Sequence, residues 1–220
     1  MKPLKNIFFL TLTSLGLIGC ELTLESEEIV YANDFENEDL NLINGGRVLD
    51  FDGSNVIGNY NNDGFDLTLS DLPDHNHVKI SFDLLIHDSW NGNQQGKGGP
   101  DIWYFHLVVN DKPIFRNSFT TTFSNTGCGS QYCLLQSYPK EYPFSHDPKS
   151  GVSNFKPGLC LHSDEQDGTS VYRISKIFQH RKNNLLVVFG DSLVQTNSNS
   201  PICDESWSLD NLVIETLQYK

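Results

Sequence analysis

The sequence predicts an all-β protein, an antiparallel β-sandwich with one long irregular excursion. Three observations predict it. Apolar residues alternate with polar ones in short runs and show no sustained helical period. The runs are separated by turn clusters, among them Asn44-Gly45-Gly46, Asp52-Gly53, Asn61-Asn62-Asp63-Gly64 and Asp167-Gly168. About ten such runs fill the chain after its first segment, a pattern that packs as two sheets rather than as a helical layer.

The N-terminal segment is of another kind. Lys2 and Lys5 precede an apolar stretch from Ile7 to Ile18. That stretch is too short to span a bilayer and has the form of a secretory signal. It ends in Leu17-Ile18-Gly19-Cys20, which resembles the bacterial lipobox. The resemblance implies that Cys20 is diacylated and becomes the first residue of the mature chain, anchored to a membrane of the cell envelope, at the outer membrane or cell surface. Two acyl chains suffice for stable anchoring. Glu21, Glu25, Glu27 and Glu28 follow, so residues 20–28 read as an acidic tether. The expected organisation is a signal over 1–19, the tether over 20–28 and one sandwich domain over 29–220.

Within that domain the clearest strand is His77 to Ile86. Val78, Ile80, Phe82, Leu84 and Ile86 share one face, and Lys79, Ser81 and Asp83 the other. Next comes Ile102 to Asn110, with Trp103, Phe105, Leu107 and Val109 in phase. After the turn Asn110-Asp111-Lys112-Pro113 the chain continues as strand from Ile114 to Phe123. Later strands are Val171–Phe178, Leu185–Phe189 and Ser208–Leu217. Weaker early ones are Ile29–Phe35, Arg47–Phe51, Asn55–Ile57 and Phe65–Leu69. The region from Cys128 to Cys160 lacks periodicity and is the excursion.

With Cys20 set aside, Cys128, Cys133, Cys160 and Cys203 remain, an even number in an oxidising compartment. Cys128-Gly-Ser-Gln-Tyr-Cys133 is a local loop, which leaves Cys160 for Cys203. A zinc site would need tighter pairing of the cysteines.

The formal charge is −13, and removing Lys2 and Lys5 with the signal takes it to −15. Phosphate contacts need a basic face, so nucleic acid is excluded as a partner. Divalent cations, neutral glycans and basic proteins remain.

The stretch from His87 to Phe105 is a polar loop between two strands, with Asp88 and Trp90 on one side and Asp101 and Trp103 on the other. Calcium takes six to eight oxygens. The loop offers Asp88, Asn91, Asn93 and Asp101, and the chain ends offer Glu36 and Asp210, with Asp34 or Asp204 nearby. If the flanking strands are neighbours, Asp88 and Asp101 meet at one sheet edge, where a cation or backbone N–H groups must offset their repulsion. Asp and Asn are also ordinary turn formers. Asn59-x-Asn61-x-Asp63-Gly64 begins like an EF-hand loop, but Ser70 stands where the bidentate Glu belongs. Trp103 is in core phase. Trp90 and Trp207 lie in polar loops, where they serve either as a sugar-stacking rim or as buried plugs.

Two segments carry a resemblance: Tyr31-Ala-Asn-Asp34-Phe35-Glu36, and the run from Asp204-Glu205-Ser206-Trp207 to Asp210-Asn211 and Ile214. Together they resemble the opening and closing strands of secreted jelly-roll modules, the habit of carbohydrate-binding modules and concanavalin A-like lectin domains. The resemblance implies a jelly-roll sandwich and an exported protein; it carries over no catalytic residue. Nor do the residues mark an enzyme. There is no H-E-x-x-H and no G-x-S-x-G, and carboxylates such as Asp83, Glu141, Glu165 and Asp191 are not set apart as a glycosidase pair. The favoured expectation is a lipid-anchored glycan-binding module with structural calcium. The alternatives are an adhesion protein that binds another protein and a glycan-processing enzyme.

Overall fold

The computed structural model describes residues 23–109, 112–129, 132–194 and 198–220. Cys20 and the signal segment lie outside them. The strands are β1 (Leu24–Asn33), β2 (Ile43–Asn44), β3 (Val48–Phe51), β4 (Ser54–Tyr60), β5 (Gly64–Leu69), β6 (His77–Asp88), β7 (Ile102–Val109), β8 (Lys112–Thr122), β9 (Asn154–Lys156), β10 (Thr169–Gln179), β11 (Leu185–Ser192) and β12 (Glu205–Tyr219). A four-residue helix, α1 (Pro201–Asp204), precedes β12. The expected antiparallel sandwich is therefore the fold, with two strands too short to read from periodicity.

Seven strands form one sheet in the order β3-β4-β12-β6-β10-β9, with β1 also paired to β12. The other sheet runs β2-β5-β11-β7-β8. The alternation read in β6 turns Val78, Ile80, Phe82, Leu84 and Ile86 inward, and all five are buried. They meet Trp103, Phe105 and Leu107 of β7 across the core. Phe82 stands edge-on to Phe105 and to Phe189, with ring centroids 5.4 and 5.5 Å apart. Such edge-to-face pairs suit the quadrupoles of the rings.

Three expectations need correction. The sandwich begins before residue 29: Leu24 to Glu28, read as tether, belong to β1 and pair with the last residues of β12. Charge marked this segment as solvated, and it is, because only its backbone is used; its side chains are exposed. Second, β6 and β7 lie in different sheets. The loop between them is a crossover, so Asp88 and Asp101 do not face one another across a ladder. Third, Trp90 and Trp207 are wholly buried.

Strand β12 organises the seven-stranded sheet. One side pairs with β6 along most of its length. The other side pairs with β4 at Trp207 and Leu209, then with β1 from Leu212 onward. Between the two partners the register slips at Asp210–Val213, and Asn211 takes a left-handed φ of 53°. A bulge of this kind bends the strand and re-aims its side chains.

Both disulfides pair as the spacing predicts, Cys128 with Cys133 and Cys160 with Cys203. The first clips the excursion to itself. The second ties its far end to α1.

Candidate functional site

The crossover loop is bonded to the protein at every polar residue singled out from the sequence. Asp88 Oδ1 accepts from the backbone N–H of His162 at 2.9 Å and of Cys160 at 3.4 Å. Asp101 accepts from the N–H of Asn91 at 2.6 Å and of Val194 at 3.5 Å, and hydrogen-bonds the Glu205 side chain. Burial holds the Asp101 carboxyl well above the usual carboxylate range. Asn91 Nδ2 donates to Glu205 Oε1 at 3.0 Å. Asn93 Oδ1 accepts from Thr122 Oγ1 and Ser137 Oγ, while its Nδ2 donates to Phe144 O. Backbone N–H groups, one of the two means expected to offset these charges, thus meet Asp88 Oδ1 and both oxygens of Asp101.

The tryptophans complete this polar seam. Trp90 Nε1 donates to Ser206 O at 2.9 Å, and Trp207 Nε1 donates to Asp191 Oδ2 at 2.5 Å. Burial pushes Asp191 up to about 6. Their indole N–H groups find partners inside the domain, as buried tryptophans require. The rim reading of Trp90 and Trp207 is overturned: Trp90 from the loop and Trp207 from β12 both pack in the main core. Among the described residues, one group of three His, Cys, Asp or Glu lies close enough to share an ion, Cys128, Cys133 and Asp147, and its cysteines are already spent in their disulfide.

The open polar surface lies elsewhere, on the outer face of the seven-stranded sheet. Leu85 is the signal. It stands in phase with Lys79, Ser81 and Asp83, the polar side of β6, yet it is buried. Leu85 joins Phe51 of β3, Val56 of β4 and Val171 of β10 in a second apolar cluster, separate from the core. This cluster floors a groove of about 250 Å³. Polar side chains rim it: Asp83, Arg173, Asp210, Asn211, Asn154 and Lys156.

Register brings the rim together. Arg173 and Asp210 both lie opposite Asp83 in the ladder. Arg173 Nε donates to Asp83 Oδ1 at 3.2 Å, and Asn211 Nδ2 donates to Asp83 Oδ2 at 3.1 Å. Lys156 Nζ pairs with Asp52 at 2.8 Å at the groove's edge. Burial pushes Asp210 up to about 6, and the negative charges of Asp83, Glu36 and Asp34 push the same way. Glu36 and Asp210, linked from the sequence as a terminal pair, are thus near one another. Glu36 Oε1 itself accepts from Ser54 Oγ and the Asn55 N–H.

A second hollow of about 380 Å³ lies beyond the bulge, lined by Tyr31, Asn33, Asp34, Asn37, Asp39 and Asn211 among others. Asn211 lines both hollows. The bulge where β12 changes partner therefore sits between two adjoining hollows rich in carboxylates and amides. Sequence reasoning named Glu36, Asp34 and Asp210 here but missed Arg173, Asn154, Lys156 and Asn211.

No family model matches the sequence, and none of the curated proteins does. Among the solved structures that are similar are the following two. One is a family GH115 4-O-methyl-α-glucuronidase with specificity for decorated arabinogalactans, at 10% identity and a TM-score of 0.39, over 85% of this chain and 17% of that one. The other is a CBM28 carbohydrate-binding module specific for non-crystalline cellulose, at 12% identity and a TM-score of 0.32, over 80% of this chain and 79% of that one. The chain spans about a sixth of the glucuronidase.

Proposed function

We propose that this protein is a carbohydrate-binding module, held to the bacterial envelope through a lipid on Cys20, that takes a glycan chain along the outer face of its seven-stranded sheet. One observation carries the reading: the groove over Phe51, Val56, Leu85 and Val171, which shares Asn211 with a second hollow. Sugar rings present C–H faces and hydroxyl edges. An apolar floor takes the first, and convergent carboxylates, amides and a guanidinium take the second. Asp83 and Asp210 accept from hydroxyls, while Arg173, Asn154 and Asn211 can donate. The surplus of carboxylates suits neutral or amino sugars and repels acidic ones. Calcium, in this reading, is drawn to the negative potential that Glu36, Asp34, Asp83 and Asp210 make together.

A glycan array probed with the purified chain tests the reading. Binding to neutral glycans is expected, weakened at least about tenfold by Arg173→Ala, in line with the cost of a lost charged hydrogen bond. Binding that Arg173→Ala leaves untouched would move the site elsewhere.

A further inference from the structure

Ser89, His162 and Glu165 form a hydrogen-bonded chain at the end of the molecule away from the groove's bulge. His162 Nδ1 lies 2.8 Å from Glu165 Oε1, and His162 Nε2 lies 3.1 Å from Ser89 Oγ. A carboxylate can only accept, so Nδ1 of the neutral ring carries the hydrogen. Nε2 keeps its lone pair, and the Ser89 hydroxyl donates into it. Nucleophile, base and orienting acid stand in the order that activates a serine.

The surroundings fix this order. Asp88 takes a left-handed φ of 60° and turns the chain at the end of β6, and the next N–H, that of Ser89, donates to Asp204 O at 2.7 Å. The Asp88 carboxylate holds the His162 backbone, so one residue positions both partners. Gly158 permits the approach: a Cβ there would meet His162 O at 2.4 Å and Asp88 Oδ1 at 2.8 Å. The Cys160–Cys203 disulfide and a Leu161 N–H to Cys203 O bond tie the histidine's loop to α1, the same short helix that holds Ser89. An open cavity of about 520 Å³ adjoins through Leu161, next in sequence to His162, and Asp204, which accepts from the Ser89 N–H; Cys160, Cys203 and Ser200 are among its other walls. Leu161 is exposed there.

We propose that Ser89, His162 and Glu165 are a serine hydrolase centre for uncharged esters of short carboxylic acids. Ser89 Oγ bonds to the ester carbonyl carbon as its proton passes to His162 Nε2. The tetrahedral adduct then expels the alcohol, which leaves with the proton from His162. Water, deprotonated by His162, attacks the acyl-serine, releases the acid and restores Ser89. Glu165 is a positioning residue. Leu161 offers an apolar wall for a small acyl group, and the acids Asp204 and Glu165 disfavour anionic substrates. The proposal does not depend on glycan binding in the groove.

Treating the full chain with a fluorophosphonate and mapping the adduct by mass spectrometry tests the nucleophile on the unaltered protein. Phosphonylation of Ser89 is expected. Hydrolysis of p-nitrophenyl acetate should fall at least about 100-fold in Ser89→Ala and in His162→Ala. Glu165→Gln should lower kcat about tenfold with KM unchanged, and Glu165→Asp should recover part of the loss, a split that mere loosening of the loop would not give. The proposal is overturned if Ser89 stays unlabelled, or if Ser89→Ala hydrolyses the ester at the parental rate.

Discussion

The crossover loop and the sheet groove hold their acids in opposite ways. Asp88, Asp101, Asp191 and Glu205 are buried, and Asp88, Asp101 and Asp191 accept from backbone N–H groups, with Trp207 adding an indole N–H to Asp191. In the groove, Asp83 and Asp210 are only partly buried: Asp83 accepts from the side chains of Arg173, which is 79% exposed, and Asn211, while Asp210 accepts from the N–H of its neighbour Asn211. A buried acid fastened by backbone donors from other segments is part of the scaffold. A partly exposed acid, such as Asp83 with its exposed Arg173 partner, is free to exchange that partner for a ligand's hydroxyls. The contrast predicts that changes in the seam cost stability, and changes in the groove cost binding.

The largest stability effect should come from Trp207→Ala. It removes a wholly buried indole and strips Asp191 Oδ2 of its indole donor, so a loss of about 3–5 kcal/mol is expected in urea unfolding. Replacing Cys160 and Cys203 together by serine should cost up to about 4 kcal/mol, because the bridge closes a separation of 43 residues. Either variant melting like the parent would show that the seam is not the scaffold described.

Proton linkage gives the next effect. Asp191 keeps its proton up to about 6 in the folded chain, against about 4 for an ordinary aspartate. The native state therefore binds more protons across that window, and stability falls as pH rises through it. Asp101 acts in the same direction. His87, buried between Thr169 and Ser208, acts in the opposite direction: burial lowers it to about 3, so stability falls as pH drops below the ordinary histidine range. Asp191→Asn should flatten the decline between pH 4 and 7 by on the order of a kcal/mol or more. A decline as steep as the parent's would remove Asp191 from the account.

The smallest stability effect belongs to the groove. Arg173→Ala should shift stability by no more than about 0.5 kcal/mol, since its ion pair with Asp83 is exposed. A large loss of stability would make Arg173 a structural tie and erase the contrast.

What was legible in the sequence follows from the range of the interactions. The strands of the core could be read because alternation is local. Both disulfides could be read because one pair is adjacent and the other is then forced. The tryptophans could not: polar neighbours suggested exposure, while crossover of the loop between sheets buries Trp90, and the position of Trp207 in β12, between β4 and β6, buries it in the core. The β1 start was hidden because its edge position uses backbone and not side chains. Leu85, apolar on the polar face of β6, is the one local mark of the groove, whereas Arg173, Asp83 and Asp210 meet only through register across three strands. Ser89 and His162 are 73 residues apart, and no spacing rule joins them.

A glycan bound on the outer face of the seven-stranded sheet must perturb the residues that rim the groove. Titrating the isotopically labelled chain with the strongest glycan from the array, and following backbone and side-chain amides by two-dimensional NMR, tests it most directly. Shifts gathered at Asp83, Arg173, Asp210, Asn211 and Asn154 are expected, with the five-stranded sheet unmoved. Shifts centred on β7, β8 and β11 instead, with the amides around Asn211 unchanged, would contradict it.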